Sequence, residues 1–545
     1  MARPRILLHS LAALACGLLT ACRSADEYAA AADEEVYRLL AERRAAFVAN
    51  PRAFGIEPLQ GSLRERLLEG EVMSGPISLI EALEVGAENS REFQSRREAL
   101  YLAALDLTFE RFRFSIQENG ALAGLLDGSG DDLSSVEVAN DLGMTWLLGT
   151  GASIVGNIGL SLFRLAGVGD QASLSSDLSL SVTQPLLQGF GPNIVRENLT
   201  RAERELVYAV REYERFRRTF AVDVANRYFR ILQQHNALQN AEANEQNLQQ
   251  LSARTEAYAE AGQISAIQAD QALQDELRAR SNVVDARQRL QGLYDDFKFF
   301  LGLPIQTALA LDQDEFTTLQ QEGLREIPRE ENLVVDYGLE RRLDLHTIRD
   351  RVWDAERAVA IAADSIRPGL GLVGRADSLS ESGQVFDHDL DRVGWDLDLV
   401  LDLPLERLPQ RNAYRATRIA LEATRRSAVA LEDGVVADLR DALRNLKARA
   451  DNFEIQQSAL TLSERRRDST NMNFEAGRAQ TRDVLEAQED LVAAQDAVTA
   501  ALVDYYLATL GLYRDMEALR VDAQGIHFER IERNGSMLSG PGSNS

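Results

Sequence analysis

Cysteine is nearly absent: among 545 residues only Cys16 and Cys22 carry thiols. Both lie at the N-terminus, and cleavage before Cys22 followed by acylation of that residue leaves no thiol for a disulfide or for Cys-based metal ligation. Such a chain must be stable through packing alone. Lysine is also scarce, since Lys298 and Lys447 are the only two and arginine supplies almost all of the positive charge. Acidic residues prevail, giving a net charge of −26. That balance argues against nucleic acid and anionic lipid as partners. It fits either plain solubility or a cation-favouring lumen. After Cys22 no run approaches the ~20 continuous apolar residues of a spanning helix, although such a scan misses β-barrel strands. His235, His346 and His527 are scattered, and neither a Ser/His/Asp grouping nor an HExxH spacing is present. No catalytic apparatus is visible, so an enzyme is not expected, nor is a cofactor.

Arg3 and Arg5 precede an apolar run over residues 6–19, the pattern of an export signal. Leu19-Thr20-Ala21-Cys22 looks like a lipobox, predicting cleavage after residue 21 and acylation, palmitate included, of Cys22. Arg23 in the next position is not the Asp that retains lipoproteins in an inner membrane. An uncleaved anchor helix is the alternative, but the run is short for one. The localisation expected is a cell outer membrane, with a lipid anchor and a body extending into the periplasm.

The rest is written twice. Tyr258-Ala259-Glu260-Ala261-Gly262 and Phe474-Glu475-Ala476-Gly477 place Glu, Ala and Gly just after an aromatic, the two glycines 215 residues apart. In the stretches that follow, Ala272, Ala279 and Ala286, and then Ala487, Ala494, Ala501 and Ala508, recur every seventh residue in one shared frame. Val484, Leu491 and Val498 form a second stripe. A seven-residue apolar repeat marks helices packed side by side with a left-handed supercoil, and alanine permits close approach. Long helices are expected over residues 194–259 and 411–475, each near 100 Å at 1.5 Å per residue. Each turns back at Gly262 or Gly477, read as the tips of helical hairpins. Each half opens with another helix, one running from Pro76 to about Phe114 and one from Arg342 to Pro368.

Between the opening helix and the long helices the period changes to two. Leu397, Leu399, Leu401 and Leu403 with Trp395 alternate against Asp396, Asp398 and Asp402, after a strand near Gly369, Gly371 and Gly374. In the first half Ile154, Ile158, Leu160 and Leu162 form one strand, and Leu178, Leu180 and Val182 another. Four strands of about ten residues, apolar on one face and polar on the other, suit a membrane barrel with a wet lumen; a sheet half-buried on a soluble core alternates too. Four strands cannot close such a barrel and edges are not tolerated in lipid. The expectation is therefore oligomerisation, three copies giving twelve staves, with Asp396, Asp398 and Asp402 facing the lumen.

Taken in order, these features resemble the outer-membrane efflux protein family of TolC and its lipoprotein relatives. The residues that carry the resemblance are Val182-Thr183-Gln184-Pro185-Leu186-Leu187-Gln188-Gly189-Phe190-Gly191, echoed by Asp402-Leu403-Pro404-Leu405, then the two tip turns, then Leu301-Gly302-Leu303-Pro304. The resemblance implies a mixed α and β membrane protein: a homotrimer whose twelve-stranded β-barrel, four strands per chain, continues into a long α-helical barrel, built from two tandem repeats. It also implies an exit duct of a tripartite efflux or type I secretion system. Its tips at Gly262 and Gly477 would dock a periplasmic adaptor (membrane fusion) protein coupled to an inner-membrane pump, proton-driven or ABC. A pore constriction is implied at Asp483 and Glu486, just past the second tip; they share a helix face, and Arg478 is a candidate latch nearby. The partition expected is 1–21 signal peptide, 22–75 anchored N-terminal segment, 76–304 first repeat, 305–330 connecting segment, 331–519 second repeat, and 520–545 disordered tail. Within the anchored segment, the helical pattern over residues 26–48 is expected to wrap the outside of the barrel. The alternative reading is a non-conducting coiled-coil envelope lipoprotein, which leaves the two-faced strands unexplained.

Two signals are set aside. Gly369-Leu370-Gly371-Leu372-Val373-Gly374 has the dinucleotide-binding spacing but leads into a strand pattern, not a helix. Asp387-His388-Asp389, with Asp391, reads as a solvated acidic loop rather than a metal site.

Overall fold

The computed structural model describes residues 24–45, 54–57, 61–73, 75–129, 132–165, 172–325, 330–380, 388, 393–522, 525–529 and 531. The signal segment and Cys22 lie outside the described residues. In chain order the helices before the sheet are α1 (Ala25–Arg44), α2 (Leu63–Leu68), α3 (Leu79–Asn89) and α4 (Arg91–Phe112). Then come β1 (Ile116–Ser129), β2 (Asp132–Leu147), β3 (Ser153–Leu165) and β4 (Ala172–Pro185). They lead into α5 (Pro192–Val195), α6 (Glu197–Glu260), α7 (Ala266–Leu301) and α8 (Asp314–Glu322). The remainder is α9 (Glu331–Arg341), α10 (Leu343–Asp364), β5 (Gly369–Leu379), β6 (Gly394–Asp402), α11 (Leu408–Glu475), α12 (Thr481–Asp515), β7 (Leu519–Asp522) and β8 (Gly525–Phe528). None of the described helices is long and apolar enough to cross a membrane.

Residues group into two compact units: one is Met1–Gly55, Ala99–Val210 and Thr347–Ala428, the other Ile56–Glu98, Arg211–His346 and Val429–Ser545. The first unit holds a six-stranded antiparallel sheet in the order β1-β2-β3-β4-β5-β6. The four strands expected from sequence are β3 to β6. Among the described residues this sheet therefore has six strands, not four, and β1 and β2 are the correction. Their alternation is blunted: Leu125 and Leu126 are adjacent, Gly120, Ala121, Ala123 and Gly124 carry little contrast, and Glu118 falls on the otherwise apolar face. Strand pairing, which composition does not display, is what orders them.

Ser24 starts α1 with a capping box: its hydroxyl accepts from the Glu27 N–H (3.2 Å) while the Glu27 carboxylate accepts from the Ser24 N–H (2.9 Å). Val36, Leu39 and Leu40 are buried, Tyr37 meets Tyr101 edge-on at 6.0 Å, and the Tyr101 hydroxyl donates to Asp33 at 2.7 Å. The N-terminal helix thus packs on α4 through this stripe.

The second unit has the dense core. The Tyr228 hydroxyl, fully buried, donates to the carbonyls of Ile77 (3.0 Å) and Asp312 (3.2 Å), and Phe297 and Leu301 are buried beside it in α7. Ala272, Ala279 and Ala286 of the heptad stripe are buried, as are Ala487 and Ala501. Gly302 ends α7 at φ 81, and a Cβ there would stand 2.0 Å from the Asn89 carbonyl oxygen, so only glycine fits.

The expectation of a disordered tail from residue 520 needs correcting over its first part. β7 and β8 pair as a hairpin from Leu519↔Phe528 to Asp522↔Gly525. Phe528 sits edge-on to Tyr513 at 4.8 Å, and Arg218 Nε donates to the Leu519 carbonyl at 3.0 Å. Those anchors lie outside the tail, so its own composition does not reveal them. Residues 532–545 are outside the described residues.

Candidate functional site

The tips come first, because their geometry follows directly from glycine. Gly262 has φ 72 and Gly477 φ 70, and nothing lies within 4 Å of a Cβ placed on either. At the first tip the Gly262 N–H donates to Ala259 O (3.0 Å) and the Gln263 N–H to Tyr258 O (2.9 Å); at the second, Gly477 donates to Phe474 O (3.0 Å) and Arg478 to Asn473 O (2.8 Å). These are two Schellman closures, in which a left-handed glycine satisfies the last carbonyls of a helix. The structure brings the two tips together. Tyr258 and Phe474 rings stand 6.5 Å apart, Arg254 lies 3.7 Å from Glu475, and Leu248, Leu251, Ala279, Phe474, Val484 and Leu485 form one buried cluster beneath them.

Asp483 and Glu486 sit on the exposed face of the first turns of α12, whose opposite face buries Thr481, Val484 and Leu485. Each already has a local partner. Asp483 accepts from the Gln480 N–H at 2.8 Å, capping its own helix. Glu486 receives Arg482 Nε at 2.8 Å and lies 3.8 Å from Arg466 Nη2 on α11; Arg466 also binds Asp490. Arg466 and Arg482, rather than Arg478, are the arginines placed against this acidic face.

Sequence reasoning missed a second polar set deeper along α12. Asp504 bridges Arg230 of α6 (2.6 Å) and Arg449 of α11. Asp496 accepts from Asn240 of α6 at 2.7 Å, and Thr499 donates to Asn236 at 3.0 Å. Burial pushes the Asp496 carboxyl above the usual range, against the Asn240 hydrogen bond that favours its charged form. The signal was available as polar residues within an otherwise apolar helix face, but partners 55 residues away for Arg449 and more than 250 for Arg230, Asn236 and Asn240 are not legible in one sequence.

In the sheet, residues directly opposite share a face. One row runs Ile116, Trp146, Ile154, Val182, Gly374, Leu397. Leu142, Ile158, Leu178, Leu180, Trp395 and Leu399 lie on that same face, and all are exposed within the chain, Trp395 to 77% and Leu399 to 65%. The opposite face carries Asn119, Asp141, Asn157, Asp177, Ser179, Asp396, Asp398 and Asp402. There Arg375 pairs with Asp396 (3.0 Å) and Asp398 (2.9 Å). The division has exceptions, among them Glu118, Asn140, Ser176 and Ser378 on the apolar face, and Leu125, Val155, Phe163, Val373, Leu379 and Val400 on the polar one.

Gly369 to Gly374 form the start of β5, not a phosphate-binding turn. His388 has its two ring nitrogens 3.0 Å from the Ser176 hydroxyl and 3.1 Å from that of Ser378; Asp387, Asp389 and Asp391 lie outside the described residues.

Residues 148–295, from just before β3 into α7, match the family model described as outer membrane efflux protein. A search of curated protein sequences returns no match. Among solved structures, CusC, described in terms of transmembrane channel formation, is similar at TM-score 0.59 and 14% identity, covering 80% of this chain and 91% of that one. The outer membrane protein VceC from Vibrio cholerae matches at TM-score 0.57 and 16% identity, covering 80% and 95%. The open state of the Neisseria gonorrhoeae MtrE outer membrane channel matches at TM-score 0.57 and 15% identity, covering 80% and 88%. Over its matched segment the chain is similar to the outer membrane efflux proteins, and its fold is similar to those of solved outer-membrane channels.

Proposed function

We propose that the protein is the outer-membrane exit duct of a tripartite efflux or type I secretion system, passively conducting substrates handed on by a periplasmic adaptor and an inner-membrane pump. The observation that carries this reading is the sheet, whose broad apolar face leaves large side chains such as Leu122, Leu142, Ile158, Leu180, Trp395 and Leu399 exposed while its other face is largely polar and acidic. A soluble protein would bury such a face; a lipid-facing barrel leaves it for the bilayer. The chain acts as a homotrimer, anchored through acylated Cys22, with Asp396, Asp398 and Asp402 towards the lumen.

The adaptor engages the paired tips at Gly262 and Gly477, which are free of neighbouring side chains. The constriction is a ring of Asp483 and Glu486 from each copy, its charge partly offset by Arg482 and Arg466. Opening requires the hairpins to part, and the Asp504 bridges to Arg230 and Arg449 are the polar ties that hold α12 against α6 and α11. No step needs chemistry on the substrate.

The test is planar-bilayer recording with purified mature protein. Discrete ion currents are expected, and replacing both Asp483 and Glu486 by Ala should raise conductance and abolish block by multivalent cations. A protein that never conducts is the non-conducting envelope spacer instead. A conducting protein whose currents and block are unchanged by the double replacement loses the constriction assignment but keeps the duct.

A further inference from the structure

We infer that the β1–β2 hairpin forms two further staves of the membrane barrel, so that each copy contributes six strands and β1 of one copy seals against β6 of the next. This rests on the trimeric duct proposed above; with it, the closed barrel has eighteen strands rather than twelve.

Three observations on the sheet carry the inference. The first is continuity. β2 pairs with β3 without a break from Leu147↔Ser153 to Ser135↔Leu165, and β1 pairs with β2 from Ile116↔Trp146 to Asp127↔Ser135, the register shifting only beside the hairpin turn at Asp127/Gly128. The hairpin extends the sheet in its own plane.

The second is chemistry. Leu122, Leu142, Met144 and Trp146 fall on the same face as Ile158, Leu180 and Leu399, and are exposed like them; Asn119, Asp141 and Thr145 fall on the face of Asn157, Asp177 and Asp398. A hairpin folded into a wet lumen would set that apolar row in water for no gain. Continued two-sidedness is what lipid on one side and water on the other select.

The third is the arithmetic of edges. With six antiparallel strands, β1 and β6 run in opposite directions, so β6 of one copy meets β1 of the next in the same antiparallel sense as every other pair. Both outer edges belong to strands with a partner on one side only. Unpaired N–H and C=O groups are not tolerated in hydrocarbon, so the edges must be joined by another copy of this chain. β1 to β4 each have more than the ~9–11 residues that cross a bilayer, and β5 and β6, with 11 and 9, match that length. Barrel diameter grows roughly linearly with strand number, and barrels of about 16–18 strands enclose an aqueous channel.

Two measurements on the full-length trimer in liposomes test this. In the first, single cysteines at Leu122, Leu142, Ile158 or Leu399, and at Asn119, Asp141, Asn157 or Asp398, are labelled with a fluorophore and quenched by nitroxide-bearing lipid. Quenching severalfold stronger at the four leucine and isoleucine sites than at the four polar sites is expected, in the hairpin as in β3 and β6. If Ile158 and Leu399 are quenched but Leu122 and Leu142 are not, the hairpin is no stave and the inference is overturned while the duct stands. If none is quenched, the duct reading itself fails. In the second, cysteine pairs combine Gln117, Asn119, Ala121 or Ala123 with Asp396, Asp398 or Val400 and are oxidised. Disulfide-linked oligomers from a run of register-matched pairs are expected. Linkage of the β6 positions to Val155 or Asn157 of β3 instead, or none with β1 in a conducting protein, overturns the seal.

Discussion

The sheet and the helical core spend their apolar residues in opposite ways. In α12 the large side chains Leu502, Val503, Tyr505, Leu510 and Leu512 are at most 3% exposed. In β6 Trp395, Leu397, Leu399 and Leu401 are all more than half exposed. Both segments are rich in leucine, so composition does not separate them. What differs is where the partner surface comes from: the core supplies its own within the chain, whereas the sheet leaves its face for a surface that one copy does not contain. The core is therefore a folding problem and the sheet an assembly and solvent problem.

Mutations break or sharpen this contrast. The largest effect is expected from Leu510→Ala, which empties a fully buried position and should cost about 2–5 kcal/mol. Denaturant unfolding of the detergent-solubilised protein checks it, and a loss well under ~1 kcal/mol would mean that the core adjusts in a way its packing does not suggest. Next is Leu399→Arg on the apolar face, costing about 2–4 kcal/mol near the bilayer centre. Asp398→Arg, one residue along, should be far milder. Folding into liposomes measures both, and equal penalties would remove the distinction between the two faces.

A smaller effect concerns pH and the β7–β8 hairpin. Burial would raise the Glu529 carboxyl, but hydrogen bonds from Arg520 and Tyr337 outweigh it and hold the group below its ordinary 4.5. A depressed carboxylate stabilises fully above its unfolded value and loses that contribution as pH falls through the folded one. Hydrogen exchange in β7 and β8 should thus quicken on acidification below pH 4.5, and Glu529→Gln should remove the dependence. Asp496 has the reverse sign: its raised value means a contribution complete below its ordinary 3.8 and lost as pH rises through the folded value. The smallest effect is Arg375→Ala. It breaks two half-exposed pairs to Asp396 and Asp398, worth about 0–1 kcal/mol. An unfolding shift well above that would show the polar face to be more shielded than an open wet surface.

Much of this was legible beforehand because it is local. A glycine after Glu-Ala at the end of a long periodic stretch demands a left-handed turn, and Gly262 and Gly477 have one. A heptad of alanines implies a close neighbour, and Ala272, Ala279 and Ala286 are buried. Alternation from Trp395 to Asp402, interrupted only at Val400, requires a strand. Where local contrast was weak, reading failed. Small residues and a misplaced Glu118 concealed β1, and β2 with it, although Leu142, Met144 and Trp146 alternating with Asp141, Gly143 and Thr145 held a trace of the period. For the candidate constriction, spacing put Asp483 and Glu486 on one face but said nothing of Arg466, which comes from another helix.

By itself, then, the sequence determined the periods: seven in the helices, two in the strands, and glycine where the chain reverses, because each depends only on neighbours a few positions apart. Tertiary structure alone decided the number of strands in the sheet, the contact between the two tips, the Asp504 bridges and the packing of the N-terminal helix on α4. Each of those depends on which distant segments meet, and pairing between residues far apart in the chain leaves no mark on the composition of either partner.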